Sequence, residues 1–328
     1  MTVTLALAVG CLVSSTLALR RLARPLVNRS RPTVAVAVLT AGAMINAASL
    51  LLVAGLLTLA VAGRWPVVAA LGDWSSDALT LTIPEPVVVG LGAAAAAVVL
   101  GVRVLWRAGS LIVLLGRSDR LSRRLRSGGA QIVFVDDATA DAFTVAGVQG
   151  CVVISRSLFA ALGPDERQVL VAHELSHLRR RHHLYVHAVD LAVGANPALT
   201  PLADAVRLGV ERWADEDAAA ACGARATVGR ALARTALVQA AVRRAVDAPP
   251  ITHPSSVLCV TAGDVAVRAQ ALMNTMNPGR SRPLYFLTAL LLVTGVLSWC
   301  SIVRIHDGFE AAELHPDRVV EHVTGLSG

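Results

Sequence analysis

At positions 171–183 the chain reads VAHELSHLRRRHH, and the reading of this stretch decides what is built around it. His173 and His177 stand four residues apart with Glu174 beside the first, the HExxH spacing. Pro164, Asp165 and Glu166 just upstream supply a helix start, with proline in the first turn and acids at the positive end of the dipole. Residues four apart on a helix share a face, so two imidazoles can grip one zinc ion while Glu174 is placed to take a proton from the attacking water. The competing reading is a pair of surface histidines flanking a salt-bridged glutamate, and it loses ground if a third ligand exists.

Composition sets the surroundings. A chain of 328 residues with 55% hydrophobic and 16% charged residues is too apolar for a soluble protein of this size, so the expected class is a mainly α, multi-spanning membrane protein. The formal charge of +7 is carried by arginine, with no lysine, and aromatic residues are too few for base stacking, so no direct nucleic-acid binding is expected. Cys11, Cys151, Cys222, Cys259 and Cys300 are odd in number and widely spread. They suggest neither a disulfide framework nor a CxxC metal site.

Four apolar runs are long enough to span a bilayer: residues 1–19, 33–63, 86–106 and 283–303, uncharged except for Arg103, which can snorkel near the end of the third. Arginines at 20, 21, 24, 29 and 31 mark a cytoplasmic loop after the first, and Arg107, Arg117, Arg120, Arg123, Arg124 and Arg126 return the chain to the cytoplasm after the third. The expected division is three transmembrane helices over 1–117, a cytoplasmic α+β domain over 118–280, a fourth helix over 281–304, and a short acidic extracellular tail over 305–328. Both termini lie outside in this scheme.

The polar domain opens with strand signals at 131–135, 142–145 and 151–155, and helical patterns follow the motif at 182–193, 201–222, 224–246 and 260–273. The strands either offer an edge to an extended peptide or merely cover the motif helix.

A peptidase zinc needs three protein ligands and one open position. Glu211, in Glu211-Arg-Trp-Ala-Asp215, lies on a predicted helix with Asp215 one turn on, so the glutamate can bind metal while the aspartate accepts a hydrogen bond from a ligand imidazole. Its rival reading is an acidic solvent face with Glu216 and Asp217. His183 has the spacing of the third histidine in HExxHxxGxxH, but that arrangement needs glycine where Arg180 stands. His187, four residues further on, reads as structural. The charges around the motif exclude a site within an apolar span.

The set His173-Glu174-x-x-His177, Glu211-x-x-Ala214-Asp215, Thr252-His253-Pro254 and Arg268 resembles the membrane gluzincin zinc metallopeptidases, similar to HtpX and the CAAX prenyl proteases. In topology the chain is similar to their relatives the β-lactam sensor-transducer peptidases, except that a large extracellular domain is replaced by the short acidic tail. The resemblance implies one zinc ion on His173, His177 and Glu211, Glu174 as general base, Asp215 behind a ligand, and His253 steadying the oxyanion or substrate. It further implies a metalloendopeptidase of a bacterial plasma membrane, cleaving a protein at the cytoplasmic face and acting on a transcriptional repressor. The alternatives are quality control of membrane proteins, or a zinc-stabilised receptor or scaffold that does not cleave.

Overall fold

The computed structural model describes residues 2–71, 74–82, 86–126, 129–136, 140–246, 262–273 and 282–314. Helices α1 (Thr2–Arg29) and α2 (Pro32–Ala62) are joined by Ser30 and Arg31 alone. Two short helices, α3 (Pro66–Leu71) and α4 (Ser76–Thr82), lead into α5 (Val87–Leu125). Strands β1 (Ile132–Val135), β2 (Ala142–Val145) and β3 (Cys151–Ser155) come next, then α6 (Arg156–Ala161), α7 (Pro164–Arg179), α8 (His182–Ala195), α9 (Thr200–Cys222), α10 (Arg225–Val246), α11 (Ala262–Met273) and α12 (Arg282–Leu314).

Among the described residues, α1, α2, α5 and α12 are the four helices long and apolar enough to cross a membrane. The first, third and fourth run further than the sequence suggests, the fourth continuing past Val303 to Leu314 through the start of the expected acidic tail. The arginines assigned to a loop after residue 19 continue α1 to Arg29, and α5 runs past Trp106 through its arginine-rich end to Leu125. Arginine is a strong helix former, so a change from apolar to basic marks a change of solvent without ending the helix.

The sheet has the order β1-β3-β2. β1 pairs parallel with β3 (Ile132 opposite Val152) and β2 antiparallel (Ala142 opposite Ile154), leaving β1 and β2 as edges. Every residue of β3 is buried, as its unbroken apolar run requires.

The hairpin of α8 and α9 does not stand apart from the membrane helices. Val189 and Val193 of α8 and Leu202 and Val206 of α9 share one core with Leu19 and Leu26 of α1 and Leu39 of α2. Gly209 lets α9 approach α2 closely, since a Cβ there would meet Val36 Cγ2 at 2.7 Å. The turn between the two helices reaches the middle of α2, about 20 Å along its axis from Pro32. There Asn196 Nδ2 donates to Asn46 Oδ1 (2.8 Å) and Asn46 Nδ2 donates to Ser15 Oγ (2.9 Å). Asn46, a polar side chain in the apolar α2, thus ties the hairpin to the bundle.

Two arginines of α5 bond the backbone of α8 near its end: Arg103 Nε donates to Gly194 O (3.3 Å), a carbonyl with no partner within the helix, and Arg107 Nη1 donates to Asp190 O (3.1 Å) one turn earlier.

Candidate metal centre

α7 begins as its sequence requires: Pro164 occupies the first turn and Glu166 Oε2 accepts from Gly163 N (2.8 Å). Its apolar residues Val169 and Leu170 are buried, and the helix packs along α9. That packing brings His173 and His177 against Glu211. One donor atom from each of the three lies within 4.8 Å of the others. The two Nε2 atoms are 3.2 Å apart, His173 Nε2 is 3.5 Å from Glu211 Oε2, and His177 Nε2 is 3.4 Å from Glu211 Oε1. Ligands at zinc-bond lengths on the corners of a tetrahedron are about 3.3 Å apart. Two imidazoles and a carboxylate at these separations therefore fit zinc, and the nitrogen and oxygen donors suit its borderline softness.

Each imidazole is held from behind. His173 Nδ1 is 3.1 Å from Asp215 Oδ1, so the aspartate fixes the tautomer that turns Nε2 to the shared point. His177 Nδ1 is 3.0 Å from Nδ1 of His182, a residue the sequence reading passed over in favour of its neighbours. With a metal on His177 Nε2, its Nδ1–H would donate to His182 Nδ1, leaving the His182 proton on Nε2. That atom is buried with no hydrogen-bond partner among the described residues.

His182 gets there by a chain reversal. α7 ends at Arg179, Arg180 keeps right-handed backbone angles, and Arg181 turns at φ 52° and ψ 45°. This left-handed conformation is costly for a residue with a Cβ, and no glycine announces it. Arg180 is held by Asp217, which also accepts from Ser176 Oγ (2.8 Å), so the end of α7 is bonded to α9. His183 and His187 face each other with ring centroids 6.2 Å apart, outside the three-residue cluster.

Arg268 completes the site from α11. Its guanidinium donates to both oxygens of Asp215 (2.8 and 2.7 Å) and its Nη1 lies 2.8 Å from Glu211 Oε2. All three side chains are nearly sealed from solvent. Burial alone would raise the pKa of Glu211 and Asp215, yet Arg268 and the neighbouring histidines hold both carboxylates below their usual range.

The two imidazoles divide. Burial opposes a charge on each, but hydrogen bonds to Asp215 and Glu211 override it at His173 and raise its pKa to about 10. At His177 burial wins and the pKa falls to about 4. Glu174 is pushed up, mainly by burial. Thr144 of β2 bridges it, with Oγ1 2.9 Å from Glu174 O and 3.0 Å from Glu174 Oε2. His253 lies outside the described residues.

Residues 118–246, from the end of α5 through α10, match the sequence profile of Peptidase family M48. This match over part of the chain supports a metallopeptidase, the class to which the motifs pointed, and the apolar helices support a membrane protein. No curated protein and no solved structure gives a match.

Proposed function

We propose that the chain is a zinc-dependent endopeptidase that cleaves a protein substrate at the membrane face, with His173, His177 and Glu211 as the metal ligands. The observation that carries this reading is the convergence of two imidazole nitrogens and the two oxygens of one carboxylate at separations of 3.2 to 3.5 Å. Zinc held there supplies a Lewis acid that polarises the scissile carbonyl and acidifies water. Glu174 is the general base: its raised pKa suits a group that accepts a proton and then passes it to the leaving amine. Thr144 holds one of its carboxylate oxygens, and Asp215 and His182 keep the ligand rings oriented. Because Thr144 joins β2 to Glu174, the edge of β2 is the one that runs beside the site. An extended substrate that pairs with this edge comes to lie along the general base.

The basic ends of α1 and α5 support a cytoplasmic peptidase domain over 118–280 with both termini outside, in a bacterial plasma membrane. By its resemblance to sensor-transducer peptidases, the substrate class is a cytoplasmic transcriptional repressor, and the lipid bilayer is the second partner. His253, in the motif context of the resemblance, belongs to substrate or oxyanion binding.

The test is the zinc content and self-cleavage of the purified full-length protein in detergent. Glu174→Gln should keep one zinc per chain and lose cleavage, while Glu211→Ala should lose both. Cleavage that survives in Glu174→Gln would overturn the catalytic assignment, and zinc retained in Glu211→Ala would overturn the ligand set.

A further inference from the structure

A cavity of about 350 Å³ lies between α5, α8 and α9, apart from the metal centre. Arg107 and Ser110 of α5, Asp190 of α8 and Arg207 of α9 line its polar side, while Leu111 and Leu114 form an apolar side. Trp106 stands at its edge, 71% exposed.

Two features define what the cavity accepts. The first is charge. Arg207 is engaged by Asp190 Oδ1 (2.5 Å) and by Asp204 at 3.8 Å, whereas Arg107 has no carboxylate partner among the described residues. Its one hydrogen bond among the described residues, to the Asp190 carbonyl, leaves other guanidinium donors for a ligand. Two guanidinium groups thus face one carboxylate within the cavity, and the outlying Asp204 is 74% exposed. The second is position. Val98, Val102, Leu105, Ile112 and Val113 of α5 are all exposed, an apolar surface that a bilayer covers. α5 also supplies Trp106, Arg107, Ser110, Leu111 and Leu114 to the cavity lining, and the amphipathic ring of Trp106 suits a membrane interface.

We propose that this cavity binds the phosphate of an anionic phospholipid from the leaflet on the peptidase side, held by Arg107 and Arg207, with the acyl chains along the exposed face of α5. The inference rests on α1, α2, α5 and α12 crossing a bilayer and is independent of the zinc chemistry. A free phosphate would satisfy the arginines but leave the apolar side uncovered, whereas a lipid covers both. Arg207 stands one helical turn before Glu211, so the lipid abuts the helix that carries the acidic ligand.

The experiment uses the full-length protein in phosphatidylcholine vesicles that contain a minor fraction of phosphatidylglycerol, with brominated chains placed on either lipid in turn. Quenching of Trp106 is the difference between wild type and Trp106→Phe. Brominated phosphatidylglycerol should quench Trp106 more strongly than equal brominated phosphatidylcholine, by about fivefold for each contributing arginine. Arg107→Gln should lower that preference. Ser110→Phe, an exposed site where the ring fills the cavity and leaves both cations, should abolish it. Equal quenching by the two lipids would overturn the proposal, as would a preference that persists in Ser110→Phe, which would reflect general surface charge. Loss of the preference on adding inorganic phosphate at constant ionic strength would assign the cavity to free phosphate instead.

Discussion

The hairpin of α8 and α9 lies between two polar clusters of opposite character. Near one end, His173, Glu211, Asp215 and Arg268 gather formal charges, each buried against an opposite partner, beside the neutral His177. At the other, Ser15, Thr16, Asn46 and Asn196 form a neutral network in which Asn196 Nδ2 reaches Thr16 Oγ1 at 3.3 Å and Asn46 Oδ1 at 2.8 Å. Neutral amides can be satisfied at membrane depth at modest cost, whereas a charge there is expensive. The difference explains why the chain can sink the tip of the hairpin while holding its reactive groups near the basic ends of α1 and α5.

Breaking the charged cluster should have the largest effects. Glu174→Gln removes the proton acceptor and should lower the turnover rate by about 10²–10⁴-fold in a peptide-cleavage assay. Substitution behind a ligand comes next: His182→Leu should weaken zinc binding by about 10–100-fold in a chelator competition. His182→Asn, which keeps an acceptor near the position of Nδ1, should restore most of that affinity. If the leucine variant bound zinc as tightly as wild type, His182 would be only a packing residue.

The pH dependence sharpens the comparison between the two ligand imidazoles. A group whose folded pKa is raised keeps its proton until the pH passes that value, so at pH 7 His173 must release a proton when metal binds and His177, already neutral, need not. Zinc affinity should therefore rise about tenfold per pH unit from 7 towards 10. Calorimetry in buffers of different ionisation enthalpy should count about one proton released at pH 7.

The neutral cluster should give the smallest change. Asn196→Ala removes the amide that joins the hairpin to α1 and α2, and should lower stability by about 0.6–1.7 kcal/mol in denaturant unfolding from detergent micelles. Zinc affinity should stay as in wild type. A matching loss of affinity would show that the two clusters act as one unit.

The parts legible in the sequence are those written in local spacing. His173 and His177, and Glu211 with Asp215, are each four apart on a helix, and the strands announce themselves by β-branched runs bounded by turn residues. What the sequence hides depends on chain reversal or distance. His182 reaches His177 only because Arg181 adopts left-handed backbone angles, which no neighbouring residue signals. Thr144 meets Glu174 across 30 positions and Arg268 meets Asp215 across 53, pairings set by tertiary packing. Asn46 stands out as a polar residue in an apolar helix, but its partner Asn196 lies 150 positions away in a segment that reads as part of a separate domain.

The anchoring of Asn196 between α1 and α2 has a mechanical consequence. α9 is a single unbroken rod of 23 residues that begins beside that anchor and carries Glu211 near its midpoint. Its flank is pinned once more where Arg212 donates to the carbonyl of Val27 on α1. A change in the separation of α1 and α2, whether imposed by a neighbouring protein or by bilayer thickness, is therefore passed to the acidic ligand through a stiff lever with two fixed points, with no flexible linker to absorb it.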